Sequence, residues 1–356
     1  MFLPLASGTD QTLNTYMAKR DIIVIGASAG GVYALKELVA TLPHDFAASI
    51  FVVLHVSPHS PSFLPDILSH SGSIKAVHPK DGQLFQPGHI YVAPPDHHML
   101  IEYDQIIVKK GPKENRFRPS IDALFRSAAY TYGPRVIGVV LTGMLNDGAS
   151  GMWSVKRLGG VGIVQEPEDA MYSSMPDSVL EYVDADYVVP MKQIGTILEK
   201  LIAETVTEKP ELDPEEDRLM GAEINIAAQD SAFEQGIIEL GELTPLTCPE
   251  CSGALISIKE GKLIRYRCHT GHAFTASTLL AEVTKSIEES FWKAAKSLEE
   301  TVMLLEQSGK QFAEGGNEKA AEQFFEKARE TRRRAQQAHE FAFQQEKLSE
   351  DSGSTD

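Results

Sequence analysis

The sequence predicts an α/β protein: a doubly wound parallel sheet with helices on both faces, followed by a small cysteine module and an α-helical hairpin. Three observations carry this reading. Short β-branched runs alternate with helical stretches through the first half of the chain. All three cysteines fall between positions 248 and 268. Beyond them, apolar residues recur at every third or fourth position, the spacing of one helix face.

After an N-terminal extension (residues 1–20), expected to be flexible, residues 22–25, 50–54 and 136–141 are apolar and rich in Ile and Val. Such runs suit strands covered on both faces. Between them lie helical stretches at 31–42, 60–70 and 120–132, and residues 161–165 and 187–189 read as later strands. The alternation implies parallel strands joined by right-handed crossovers. This domain is expected to span residues 21–204, closing after a helix at 194–202. Residues 205–245 read as a solvated acidic linker, because 208–242 holds eleven acids against two bases. Within it, 233–240 has a short amphipathic pattern. The cysteine module is expected at 246–274, with a hairpin from 255–258 and 262–266 turned at Lys259-Glu-Gly261. Residues 275–348 read as two helices split by Gly315-Gly316. Leu280, Val283, Ile287, Phe291, Ala295, Leu298, Val302 and Leu305 stripe the first helix. Ala321, Phe325, Ala328, Ala335, Ala338 and Ala342 form a narrower stripe on the second. The tail at 349–356 reads as disordered.

Composition excludes several classes. The chain has 356 residues and a net charge of −17, which argues against a nucleic-acid partner needing a basic face. No apolar run approaches the ~20 residues of a membrane span, so no membrane insertion is expected. Three cysteines cannot build a disulfide framework, and the opening Met1-Phe-Leu-Pro-Leu-Ala6 is too short for a signal h-region. A cytoplasmic protein is expected.

Gly26-Ala-Ser-Ala-Gly-Gly31 follows the first strand and opens a helix. One reading is a phosphate or dinucleotide loop. The glycine spacing is wrong for it, and the second strand ends in His55 where a ribose-binding acid belongs. The other reading is a nucleophile on a tight strand-to-helix turn, with the Ser28 hydroxyl accessible and backbone N–H groups of the helix start, beginning at Ala29, facing an oxyanion. A serine needs a base. His55 follows the second strand directly, and Asp147 comes shortly after the third apolar strand. Singly, Ser28 and Asp147 also read as helix caps and His55 as an incidental loop residue. Jointly, they lie past the carboxyl ends of three strands, the edge where open parallel sheets place active sites. Ser28 would attack, His55 would take its proton, and Asp147 would orient the imidazole.

Gly26-Ala-Ser-Ala-Gly-Gly31, Tyr91-Val-Ala-Pro-Pro-Asp-His-His-Met99, Arg118-Pro-Ser-Ile-Asp122, Leu141-Thr-Gly-Met, Asn146-Asp-Gly-Ala149, Met175-Pro176 and Val188-Val-Pro190 together resemble the catalytic domain of bacterial CheB-type chemotaxis protein-glutamate methylesterases, over about residues 21–204. The resemblance implies hydrolysis of γ-glutamyl methyl esters on the cytoplasmic helices of methyl-accepting chemoreceptors, with release of methanol, and deamidation of receptor glutamines. It carries the family's triad onto Ser28, His55 and Asp147. Met144 falls at the site-lining position whose backbone helps bind the oxyanion. Ala29 stands where threonine often follows the nucleophile, Leu54 and Val56 flank His55 where Gln and Met are common, Phe117 stands where histidine is common, and Leu145 replaces a glycine. Many family members carry an N-terminal receiver domain. The stretch before the first strand reads as too short for one, so control is expected from the C-terminal region, from a separate signalling regulator, or not at all. The serine path itself calls for no cofactor.

Cys248-Pro-Glu-Cys251 and Cys268-His-Thr-Gly-His272 flank the hairpin. Thiolates with an imidazole suit a closed, structural zinc site. Cys248, Cys251, Cys268 and His272 are the expected ligands, with His269 the alternative fourth. A redox dithiol is the competing reading. The rival to the enzyme is an inactive esterase-fold scaffold that binds partners through the zinc module and helices.

Overall fold

The computed structural model describes residues 18–351 apart from 207, 229–231 and 233, with side chains described as far as 344. Most of the expected N-terminal extension and the last five residues of the tail lie outside the described residues.

In chain order the first half comprises β1 (Ile22–Ala27), α1 (Gly31–Thr41), β2 (Ser49–Leu54), α2 (Leu64–Ser71), β3 (Lys75–Val77), β4 (Gln83–Leu84), β5 (His89–Val92), β6 (His98–Glu102) and β7 (Gln105–Lys109). It continues with α3 (Ile121–Tyr132), β8 (Val136–Val140), α4 (Ala149–Arg157), β9 (Val161–Gln165), α5 (Ser174–Tyr182), β10 (Tyr187–Val189) and α6 (Met191–Ile202). Seven strands form one sheet in the order β10-β9-β8-β1-β2-β5-β3. Every neighbouring pair is parallel. This is the expected doubly wound sheet. Successive residues of β1 feed opposite cores: Ile23 and Ile25 pack with Leu35 and Leu38 of α1 and Ile194 of α6. Ile22 and Val24 pack with Leu124 and Phe125 of α3 and Met152 of α4. Burial on both faces is why the strands read as unbroken apolar runs rather than alternating ones.

The strand order places β1 between β2 and β8, with β5 and β3 beyond β2 and β9 and β10 beyond β8. The chain therefore reverses its winding beside β1, and the crevice at the carboxyl ends there is the topological switch point. A smaller antiparallel sheet, β4-β7-β6, lies outside this plan. Its strands are short and interrupted by turns at Tyr103 and Asp104, both left-handed, which hid them from a pattern search.

The second half departs from expectation in two places: the last helix runs to Asp351, into the tail expected to be disordered from 349, and the expected linker is structured. Within 205–245, α7 (Pro214–Ala228) is a packed helix, not a solvated connection. Its acids cluster in the first turn, where the helix dipole favours them, while Met220, Ile226 and Ala227 are buried. A short turn at Ile237–Leu240 follows. The ribbon sheet, β11 (Glu242–Thr247), β12 (Ala254–Glu260), β13 (Leu263–Cys268) and β14 (Ala273–Thr275), is antiparallel throughout. Ile256 and Ile258 of β12 join Ile226 of α7 in one apolar cluster, so α7 ties the ribbon to the sheet domain. Then α8 (Ala276–Glu314) and α9 (Glu318–Asp351) form the hairpin. Ala321, Ala328, Ala335, Ala338 and Ala342 of α9 are all buried, and their small side chains let the helices approach closely. The α8 stripe is only half covered: Ala295 and Val302 are buried, whereas Leu280, Val283 and Ile287 are exposed.

Candidate active site

Ala27 pairs with Leu54, so Ser28 and His55 leave the sheet side by side from β1 and β2. The Ser28 N–H donates to the Thr142 carbonyl at 3.0 Å, and the His55 N–H donates to the Ala27 carbonyl at 3.2 Å, which stitches three strand ends together. Gly30 completes the turn with φ +75°, a left-handed conformation that glycine adopts at little cost. A Cβ on Gly30 would also press on Thr142 and Met171.

His55 Nε2–H donates to Asp147 Oδ2 at 2.8 Å, and both side chains are nearly or fully buried. Asp147 is gripped from all sides. Its Oδ2 also accepts the Ile121 N–H at 2.6 Å, and its Oδ1 accepts from Ser120 Oγ at 2.9 Å, Asn115 Nδ2 at 3.2 Å and the Asp122 N–H at 3.2 Å. The carboxylate thus sits on the N-terminus of α3, where exposed N–H groups and the dipole favour negative charge. Burial pushes the Asp147 pKa up, but the hydrogen bond and charge of His55, with the Ile121 and Asn115 donors, hold it below the ordinary value. Asp122 goes the opposite way: burial and the adjacent Asp147 charge drive it well above the carboxylate range. One buried carboxylate is thereby kept ionised beside another that favours its proton.

With Nε2–H committed to Asp147, the imidazole lone pair is on Nδ1. That atom is buried and has no hydrogen-bond partner among the described residues. It is the nitrogen free to act as a base. The roles of the two ring nitrogens are thus the reverse of those in the familiar serine-protease triad. No hydrogen bond joins Ser28 Oγ to His55 among the described residues, but both side chains line one cleft of about 790 Å³. Such contacts commonly tighten only when substrate is bound. Phe117 stacks on the imidazole, centroids 3.6 Å apart and planes within 8°, and fixes the ring's tilt.

Ala29 and Met144 border the same cleft. Neither backbone N–H donates to a carbonyl among the described residues, whereas those of Ser28 and Gly143 are both taken. Leu145, at the glycine position of the resemblance, has φ +67°, which explains why glycine suits it. Lys113, Arg116 and Arg118 also line the cleft, and Arg118 is locked by Asp96 at 2.6 Å and 2.9 Å. The structure therefore brings Ser28, Ala29, His55, Met144 and Asp147 together. Sequence reasoning did not find the residues that hold Asp147. The Arg118-Pro-Ser-Ile-Asp122 motif was visible, but nothing in it announces that Ser120 and two N–H groups converge on a carboxylate after β8.

Cys248, Cys251, Cys268 and His272 place one donor atom each within 4.8 Å of one another. Sγ of Cys268 lies 3.6 Å from Sγ of Cys251 and 3.6 Å from Nδ1 of His272, and Cys248 Sγ lies 3.7 Å from that nitrogen. Tetrahedral zinc with bonds of about 2.3 Å to sulfur requires ligand separations of roughly 3.7 Å, so the donor set fits such an ion. His272, not His269, completes the cluster.

Fold and site together define an α/β protein with the side chains of a serine esterase at its sheet switch point. The chain belongs to the CheB methylesterase family, whose sequence profile matches residues 23–198. A putative protein-glutamate methylesterase/protein-glutamine glutaminase of Leptospira interrogans is 38% identical over 182 residues, which cover 51% of this chain and 94% of that protein. The protein-glutamate methylesterase/protein-glutamine glutaminase of Thermotoga maritima is 35% identical over 185 residues, but only 54% of its length is matched. The crystal structure of the Thermotoga maritima CheB methylesterase catalytic domain superposes with a TM-score of 0.50 at 34% identity, covering 52% of this chain and 100% of that one. These likenesses cover the sheet domain.

Proposed function

We propose that the protein is a serine carboxylesterase that hydrolyses γ-glutamyl methyl esters on chemoreceptor cytoplasmic helices to glutamate and methanol, and that it deamidates receptor glutamines by the same acyl chemistry. The observation that carries this reading is the buried His55–Asp147 pair, with its one unpartnered ring nitrogen, in the cleft that Ser28 also lines. Ser28 Oγ attacks the ester carbonyl while His55 Nδ1 takes its proton. Asp147 stabilises the imidazolium through Nε2–H. The oxyanion is held by the Ala29 and Met144 N–H groups. The imidazolium then protonates the departing methoxide, or the departing amine in deamidation. Water, activated by the same base, cleaves the γ-glutamyl–Ser28 ester. The open cleft suits a single side chain projecting from a receptor helix better than a free small molecule.

Methanol release from methylated receptor tests this. Ser28→Ala is expected to lower the rate at least a thousand-fold while the far-ultraviolet spectrum is kept. Undiminished release by that variant would remove the serine mechanism.

Cys248, Cys251, Cys268 and His272 hold one zinc in a structural role, folding a module too small for a core of its own. Metal analysis of freshly reduced protein is expected to give a stoichiometry near one; a value near zero would contradict it. No helix among the described residues is long and apolar enough to cross a membrane, and the reading places the protein in the cytoplasm. The C-terminal region is where a signalling regulator would act.

A further inference from the structure

The segment from Lys113 to Phe117 lies between the ribbon and the catalytic pair, and the C-terminal half of the chain holds it residue by residue. The Lys113 carbonyl accepts the Ala273 N–H at 3.2 Å, and its ammonium meets Glu250 at 3.2 Å. Glu114 accepts from Arg267 at 2.6 Å. The Asn115 N–H donates to the Ala273 carbonyl at 2.8 Å. Arg116 pairs with Glu282 at the start of α8 at 2.5 Å. On its other side the same segment touches the chemistry, through Phe117 on His55 and Asn115 on Asp147.

Asn115 is the joint. It is 1% exposed. Its Nδ2 donates to Asp122 Oδ2 at 2.8 Å and Asp147 Oδ1 at 3.2 Å, and its Oδ1 accepts the Thr275 N–H of the ribbon at 3.0 Å. The amide thus keeps two buried carboxylates apart while tied to the ribbon's last strand. Asn115 and Arg116 are consecutive left-handed residues, φ +49° and +76°, a conformation that persists only where its surroundings over-determine it. Here those surroundings are largely the ribbon. Asn146, beside Asp147, is held by the same junction, donating to Thr275 Oγ1 at 2.5 Å and accepting from Thr278 Oγ1 at 2.6 Å.

We propose that Asn115 is a positioning residue for Asp147, and that the cysteine ribbon is a built-in part of the catalytic site because it holds Asn115 in place. This rests on the esterase reading above. The metal then acts on the reaction only through this clamp.

The test uses the full chain with Asn115→Ala, and separately with Asn115→Asp, which keeps the shape, the left-handed tolerance and the Thr275 bond but replaces the amide donor with a carboxyl group set against Asp122 and Asp147. Three readouts are taken. In methanol release, kcat is expected to fall roughly ten- to a hundred-fold in both variants with KM within about two-fold. In proton NMR without substrate, the downfield resonance of His55 Nε2–H is expected to shift or broaden in both. Stripping the metal from the wild-type chain with a chelator is expected to reproduce both effects, and stripping it from Asn115→Ala to add little more. Thr275→Pro, whose φ of −79° suits proline, removes the ribbon N–H together with the Oγ1 that caps α8 and accepts from Asn146, and is expected to act in the same direction if the stripped chain loses its fold. Wild-type kcat and an unmoved resonance in the Asn115 variants would overturn the proposal, as would losses from Asn115→Ala and metal removal that simply multiply. An inactive wild-type chain would count against the esterase reading alone, since the NMR readout decides the positioning role without substrate.

Discussion

Asp147 and Leu145 show two ways a single residue bears on the site. Asp147 stays charged in a dry pocket because five donors converge on it. Asp147→Asn would keep the shape but offer Nε2–H no carboxylate, and an imidazole free to take the wrong tautomer loses catalysis by a factor of roughly ten thousand in a serine triad. A loss of that order in kcat is the expected outcome, together with a lowered melting temperature, because the new amide NH2 faces buried donors that the carboxylate accepted. Leu145 tells a different story. With φ +67° it occupies a conformation that costs a branched side chain about 1–2 kcal/mol. Leu145→Gly is therefore expected to leave stability unchanged or raise it by up to about 1 kcal/mol, even though it deletes an apolar side chain. A denaturant titration would show this, and a drop of more than about 2 kcal/mol would mean that the side chain packs better than its backbone suggests. The placement of Ser28, His55 and Asp147 beyond three strand ends was legible in the sequence because each follows an apolar strand within a few residues. Asn115 was not: its ribbon partner Thr275 is 160 positions away, and no local pattern encodes such a meeting.

The joint between β13 and α3 is an ionic one, buried where an apolar contact would be expected. Arg265 and Arg267 of β13 and Arg126 of α3 meet Glu114, Glu223 of α7 and Glu260 of β12, all 5% exposed or less. Three cations face three carboxylates, so removing one partner strands a charge. Glu223→Gln is expected to cost about 3–5 kcal/mol at neutral pH. Burial pushes the Glu223 pKa up, but the guanidiniums of Arg126, Arg265 and Arg267 outweigh it and hold it at about 2. The Glu114 carboxyl is likewise held well below the ordinary value. Because these folded-state values lie below the unfolded one, their stabilisation is full above about pH 4.3 and is lost as pH falls from there towards 2. The gap between wild type and Glu223→Gln in thermal melts should therefore narrow on acidification through that window; a gap that stayed constant would mean that Glu223 does not titrate there. This joint explains why residues 205–245 misled as a linker. Their eleven-to-two excess of acids looked like solvation, but Glu223 is spent inside, against arginines that only the fold brings near.

Taken together, the chain is a family sheet domain to which a ribbon, α7 and a long hairpin have been added on the side where the chemistry sits. The sheet and the ribbon were readable because strand runs, glycine turns and cysteine spacing are local signals. The docking of one on the other was not, because it is made by single hydrogen bonds and ion pairs between residues far apart in sequence. Ala281 of α8 lines the cleft and Glu282 clasps Arg116 at its edge, so the added half also shapes what can enter. Underneath all of this lies the row of hydroxyl, imidazole and carboxylate. Peptide mass mapping after treatment with a fluorophosphonate, which marks serines activated by a neighbouring base, probes that row in one step. An adduct on the peptide carrying Ser28, present in the wild-type chain and absent when His55 is replaced by alanine, is expected. An unmarked Ser28 in protein that still releases methanol, or equal marking without His55, would show that the row does not work as a unit.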